Sequence, residues 1–424
     1  MRVPDGVPGR SIVTGLEVRG GTRWGEWPVI APGAEAAVQE ALRSGRWAIS
    51  SQVTERRPTL FEERFAAAFG AFCGVPSCVP VDHGSSALVA ALEALQLPAG
   101  SHVVVPALTW VATASAVFRA GYVPVVADVD YWSGNLSAET VANVLTPQTA
   151  AVIVVHWAST MADMDGLVDL CTDRGLFLIE DAAQAHGAAW RGRRAGSLGD
   201  FGCFSLQQAK VLACGEGGCV VSRHADARVR LEELRADSRS YRSVRDRAVH
   251  ELALQESAGI MGSNFGLGEL AAALALAQLE WLPEQNRIRE AGYRRLIALA
   301  DEHSAFSLPR PSEHQTALSI YEVPVRIEAP GKDVDQVAAE LGRDLGLRFY
   351  RPRPPLVGSR LLRPETKASL RPLSDEFWRL HADKAYPNAG HFSEEFILFH
   401  HSVLLADEEE LERLVAAFER MMGA

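Results

Sequence analysis

Long apolar runs, basic blocks and paired cysteines are all missing from this chain of 424 residues. Nowhere do about 18 apolar residues follow one another, so no transmembrane helix is expected. Met1 to Arg10 carry Pro4, Pro8 and three charges but lack the apolar stretch of a secretory leader. No run of Lys and Arg is long enough to track a phosphate backbone, and 42 basic against 53 acidic residues leave a net charge of -11. A nucleic-acid partner is therefore not expected. The cysteines Cys73, Cys78, Cys171, Cys203, Cys214 and Cys219 form no C-x-x-C pair and mostly sit inside apolar runs. They read as reduced, buried thiols of a cytoplasmic protein, and no metal site is expected. No internal repeat of roughly 20–50 residues is visible.

With 47% hydrophobic and 22% charged residues, the chain has enough apolar surface for one large or two ordinary cores, which excludes whole-chain disorder. From about residue 67 to 221 short β-branched runs alternate with amphipathic stretches, the pattern of an α/β fold with a mostly parallel sheet and crossover helices. The expected strands are 103–105, 123–127, 151–155, 176–180, 201–205 and 218–221. Helical windows at 86–95, 113–120, 137–145 and 164–174 separate them. An Ala/Leu run within 267–282 predicts a buried helix stopped near Pro283, followed by a charged helix from Asn286. That stop divides the chain into a large domain, 1–285, with an N-terminal arm, and a smaller α+β domain, 286–424. In the latter a strand is expected within 319–327, a helix over 334–345, a Pro-rich turn at 351–355, a strand over 396–399 and a terminal helix over 407–422.

The chemistry concentrates in two stretches. Leu178-Ile-Glu-Asp181-Ala-Ala-Gln184-Ala-His186-Gly187 is an apolar strand ending in acids, and a carboxylate there points into the crevice where α/β sheets bind ligands. Asp181 equally fits a helix N-cap when taken alone. Phe204-Ser205-Leu-Gln-Gln-Ala-Lys210, followed by Gly215-Glu-Gly-Gly218, places a lysine on a loop before a Gly-rich turn that admits a ligand to the backbone. A lysine held in such a site can lose its proton and form a Schiff base with an aldehyde cofactor. Pyridoxal phosphate also needs an acid against its ring nitrogen, and Asp181 with Lys210 supplies that pair. A surface lysine is the plainer reading of Lys210. Gly84-Ser85-Ser86 opens a helical pattern, as a phosphate site or an ordinary cap would. Trp110, just past the strand 103–105, has a flat face for a ring or for the core.

Taken in order, Gly84 to Leu88, Pro106 to Trp110, Glu180 to Gly187, Ser205 with Lys210, and Gly215 to Gly218 resemble the DegT/DnrJ/EryC1/StrS aminotransferase family of fold-type I pyridoxal phosphate enzymes. The resemblance implies that Lys210 bonds the cofactor, Asp181 pairs with its ring nitrogen, Trp110 stacks on the ring and Gln184 lies on the phenolic-oxygen side. Gly84, Ser85, Ser86 and Ser205 would hold the phosphate, and Asn264 would reach the phosphate of a neighbouring subunit, which implies a homodimer. Gly266 stands where the family commonly has an Arg, and Ala209 where a hydroxyl residue commonly precedes the lysine.

Segments 44–50, 207–212, 234–237, 261–264, 362–367 and His400-His401 resemble the glutamine-dependent scyllo-inosose and 2-deoxy-scyllo-inosose aminotransferases of aminoglycoside pathways. Arg351-Pro-Arg-Pro-Pro355 is more basic and proline-rich than that branch implies. The resemblance implies amino transfer from L-glutamine or L-glutamate to a keto-cyclitol, with pyridoxamine phosphate between the half-reactions. Trp47, His400 and His401 are the substrate-pocket candidates, the histidines being equally readable as packed residues. Arg119, Arg193 and Arg194 are candidates for a donor carboxylate. A nucleotide-linked keto-sugar acceptor, a pyridoxamine-dependent dehydratase, an aromatic amine synthase and a non-catalytic cofactor-binding regulator are the competing readings.

Overall fold

A computed structural model of the chain describes residues 24, 26–54, 59–302, 306–328 and 333–422; Met1 to Arg10 and the rest of the expected N-terminal arm to residue 23 lie outside them. Seven strands form the central sheet: β1 (Ser77–Val81), β2 (His102–Pro106), β3 (Val123–Ala127), β4 (Thr149–Val155), β5 (Phe177–Asp181), β6 (Phe201–Ser205) and β7 (Gly218–Ser222). Their order is β1-β7-β6-β5-β4-β2-β3. Every neighbour is parallel except β7, which runs against both β1 and β6. The loop from β6 to β7 carries no crossover helix, and only antiparallel partners can be joined that way.

The sheet is covered on both faces, as a parallel sheet requires. Val103 and Val105 join a core with Leu88, Leu92 and Val117, whereas Val104 between them joins one with Phe65, Leu167 and Leu279. This alternation places the helices Gly84–Ala94 and Ala112–Arg119 on one face and Phe61–Cys73 and Met164–Arg174 on the other. All six cysteines are free and buried. The expected helix over 137–145 is shorter, Ala138–Ala142, with Ser137 as its N-cap.

The C-terminal part forms a second core around an antiparallel sheet of Phe306–Ser307, Glu322–Ile327 and Phe396–His400. Helices Val334–Leu345 and Glu408–Met422 pack there, while Arg371–His381 and Pro387–Glu395 send Phe377 and Phe392 back into the core of the large sheet. One expectation is corrected. The helix expected to end near Pro283 runs unbroken from Glu269 to Glu302, and the division placed after residue 285 falls inside it. Pro283 removes one hydrogen bond at a cost of about 3 kcal/mol. The helix bridges both cores, through Leu279 in one and Tyr293 and Leu296 in the other, and that burial outweighs the break.

Candidate active site

The C-terminal ends of β2, β4, β5 and β6 open on a cavity of about 690 Å³ whose wall includes Gly84, Ser85, Trp110, Asp181, Gln184, Ser205 and Lys210. Asp181 ends β5 and is buried. Its Oδ2 accepts from the Thr113 hydroxyl at 3.0 Å, and its Oδ1 from the Ala183 N–H at 3.3 Å. Thr113 spends its proton on Asp181 and so accepts from Thr109 at 2.8 Å. Burial raises the Asp181 carboxyl, opposed by Thr113, Ala183 and Lys210. A cationic group in the cavity would oppose that burial and favour the carboxylate form.

Lys210 follows the β6 strand, and its Nζ lies 4.0 Å from the centre of the Tyr321 ring. Burial lowers its pKa, against the opposing fields of Glu322 and Asp181. An amine so placed is more readily uncharged, as a nucleophile or base must be. The neighbouring acid Glu180 has a different task. It is fully buried and accepts from His156 Nε2 at 3.0 Å and from the N–H groups of Gly196, Leu198 and Gly199 at 2.7–2.8 Å. Its oxygens are taken up by His156 and the loop between β5 and β6.

The helix Gly84–Ala94 starts at the cavity without a side-chain cap, so its first N–H groups are free to meet an anion. Glycine is required at two places beneath it. A Cβ on Gly84 would lie 2.7 Å from Ser205 Cβ, and one on Gly218 2.6 Å from the carbonyl carbon of His83. Ser85 and Ser205 line the cavity, while Ser86 is buried in the first helical turn. Gln184 Oε1 accepts from the Ala158 N–H at 2.7 Å, leaving its amide nitrogen to donate elsewhere. Trp110 is 47% exposed, and the Arg353 guanidinium sits 4.2 Å over its ring.

Four other expected site residues lie off the cavity wall. Trp47 is 55% exposed with its Nε1 on the Leu42 carbonyl at 3.0 Å. Asn264 is exposed and bridges to Ala236. His400 and His401 lie behind the lysine loop, both with Nε2 on the Ala209 carbonyl, at 3.1 and 3.2 Å. Arg119, Arg193 and Arg194 do not reach the cavity; Arg193 and Arg194 hold the carbonyls of Ser197 and Gly187. The arginines in its wall are Arg348, Arg351 and Arg353. Reading the sequence also missed Tyr321, Glu322 and Tyr350, whose hydroxyl donates to Glu322 Oε1 at 2.6 Å. The only signal for this side was the basic, proline-rich run 351–355.

A seven-stranded sheet with one antiparallel strand, carrying a lysine and an acid at its carboxyl ends, defines a fold-type I pyridoxal-phosphate-dependent transferase. The chain belongs to the DegT/DnrJ/EryC1/StrS aminotransferase family, whose sequence profile matches residues 31–356. It is 41% identical over 423 residues, 97% of this chain and 98% of the relative, to the L-glutamine:2-deoxy-scyllo-inosose aminotransferase of Micromonospora echinospora. To the L-glutamine:scyllo-inosose aminotransferase of Streptomyces griseus it is 36% identical, over 96% of this chain and 97% of the relative. Among solved structures it resembles 3-amino-5-hydroxybenzoic acid synthase, with a TM-score of 0.78 at 29% identity, covering 94% of this chain and 98% of that one. Among the described residues no helix is long and apolar enough to cross a membrane. The residues present fit pyridoxal phosphate: an uncapped helix start above two obligatory glycines for the dianion, an unpaired buried acid for the ring nitrogen, and an amine with a lowered pKa.

Proposed function

We propose that this aminotransferase moves an amino group from L-glutamine or L-glutamate to a keto-cyclitol such as scyllo-inosose or 2-deoxy-scyllo-inosose, as a cytoplasmic step in aminocyclitol or aminoglycoside biosynthesis. The observation that carries the reading is the meeting of Lys210, Asp181 and the free helix start at Gly84 on one cavity. The choice of acceptor follows the names of relatives that match nearly end to end.

Bound pyridoxal phosphate supplies an electron sink for the carbon that loses or gains the amino group. Lys210 is the residue that would hold the cofactor, and its amine, whose pKa burial lowers, would serve as the base for the proton on the donor α-carbon. Asp181 would keep a proton on the ring nitrogen by charge, and the Thr109–Thr113 chain holds its oxygen in line. The N–H groups of Gly84 and Ser85, with Ser205, would hold the phosphate, and Ser86 supports that turn. Trp110 would offer its face to the ring, and the free amide nitrogen of Gln184 would serve its phenolic-oxygen side.

Asn264 and Trp47 support a homodimer. Both are exposed, neither lines its own cavity, and their segments are neighbours, the Glu269 N–H donating to the Trp47 carbonyl at 3.0 Å. A second copy is the reading that gives both a site to complete, with Asn264 on its phosphate and Trp47 toward its acceptor.

The test is turnover of L-glutamine with each keto-cyclitol, scored by mass of the amino product. The expected result is an aminocyclitol from one of them, abolished in Lys210→Ala. Product only from a nucleotide-linked keto-sugar would move the acceptor to that class. Cofactor binding with no transfer to any ketone would leave a regulator.

A further inference from the structure

The peptide that carries Lys210 is fixed at both of its polar ends. Its N–H donates to the Gln207 carbonyl at 2.8 Å, and its oxygen, that of Ala209, accepts from His400 Nε2 at 3.1 Å and from His401 Nε2 at 3.2 Å. The preceding peptide is held as firmly: the Gln208 carbonyl accepts from Trp27 Nε1 at 2.7 Å, and the Ala209 N–H donates to Gln207 Oε1 at 2.8 Å.

Both histidines can donate only if their protons sit on Nε2. Ser402 settles this for His400 by donating its N–H to Nδ1 at 3.3 Å. For His401 the donor is Arg289 Nε, at 3.1 Å from Nδ1. A guanidinium has donors alone, so this contact forces Nδ1 to accept and sends the ring proton to Nε2. Arg289 is fully buried, its other hydrogen-bond partners are the neutral Asn286 Oδ1 at 3.0 Å and Gln285 Oε1 at 3.3 Å, and its guanidinium lies 5.1 Å from the centre of the Trp27 ring. Among the described residues no carboxylate offsets the burial of its charge. Burying a cation without an anion is costly, and a structural role in packing alone would be met more cheaply by an apolar side chain.

We propose that Arg289, through the tautomer it imposes on His401, and His400 beside it are positioning residues that set the direction in which the Lys210 side chain enters the cavity, and that the histidine pair does not contact substrate. This rests on Lys210 being the residue that bonds the cofactor.

Apoprotein is mixed with pyridoxal phosphate, the long-wavelength absorption band is followed, and the product is reduced with borohydride and mapped. Wild type labels Lys210; label on Lys332, Lys367 or Lys384 instead would refute the reading of Lys210 itself. His401→Leu and Arg289→Met, checked for folding by circular dichroism, are expected to label at least tenfold more slowly. Their KM values for L-glutamine and for the ketone should stay within threefold of wild type. His401→Gln, which keeps a donor toward Ala209, should recover most of the rate. Labelling at the wild-type rate in His401→Leu, or a KM raised more than tenfold with labelling unchanged, would overturn the proposal.

Discussion

Gly218→Ala probes the anion cradle without touching a charged or reacting group. The new Cβ would lie 2.6 Å from the His83 carbonyl carbon and 2.7 Å from both the His83 oxygen and the Gly84 nitrogen. Ordinary contact is about 3.5 Å, so the start of the helix has to retreat by roughly 0.8–0.9 Å. All three atoms are backbone, and no rotamer change can absorb the overlap. A hydrogen bond of about 2.9 Å stretched by that amount leaves the bonding range. Each charge-assisted bond so lost is worth about 1.5–3 kcal/mol, which corresponds to a Kd for pyridoxal phosphate weaker by roughly 10- to 100-fold. Overpacking should also lower stability by about 1–3 kcal/mol. The assay is titration of apoprotein with the cofactor by absorbance, beside a urea unfolding curve. Gly390→Ala is the control, since its Cβ meets nothing within 4 Å and lies in the helix Pro387–Glu395; it should be neutral or stabilising by up to about 1 kcal/mol. Unchanged cofactor affinity in Gly218→Ala would refute the placement of the phosphate at Gly84.

Arg353 is the cavity arginine stacked on Trp110, and among the described residues it makes no salt bridge, although its charge acts on Glu322. Arg353→Gln should raise the KM for L-glutamine by roughly 10- to 100-fold, the value of one charged hydrogen bond, with the ketone KM unmoved; an unchanged donor KM would count against it. Acid should destabilise the fold through His381, whose Nδ1 donates to the Phe377 carbonyl while Nε2 accepts from the Val126 N–H at 2.9 Å. Burial pushes its pKa down to about 4. Below about 6.5 the unfolded chain takes up a proton that the folded one refuses, so stability falls by up to about 1.4 kcal/mol per pH unit between about pH 6.5 and 4. Urea midpoints at pH 7 and 5 test this, and His381→Gln should flatten the slope.

The strands of the central sheet were readable because parallel strands are buried on both faces and so appear as runs such as Val103-Val-Val105. β1 was missed because Pro80 interrupts it; at the edge of the sheet, with β7 as its strand neighbour and a bridge to Gly266 only at Val81, it tolerates the missing donor. Pro283 misled in the opposite direction, since tertiary burial carried the helix through it. The cofactor half of the site lies within β5, β6 and their loops, so local motifs disclosed Asp181 and Lys210. The wall opposite comes from Tyr321, Glu322, Tyr350 and Arg353, brought there by long-range pairing such as Tyr350 with Leu398. Apart from the basic, proline-rich run around Arg353, no local pattern marks such residues. The same limit explains the histidine pair: side by side in sequence it suggested a pocket, whereas its hydrogen bonds turn inward to the lysine loop.

The central claim is that Lys210 and the cavity around it carry out amino transfer, and the absorption spectrum of the holoenzyme tests it most directly. Adding L-glutamine should remove the long-wavelength band and raise the shorter-wavelength band of pyridoxamine phosphate, and a keto-cyclitol should then restore the first. In Lys210→Ala neither change should occur on the timescale of turnover. A cofactor band that ignores L-glutamine and L-glutamate, or conversion that proceeds equally well without Lys210, would contradict the account.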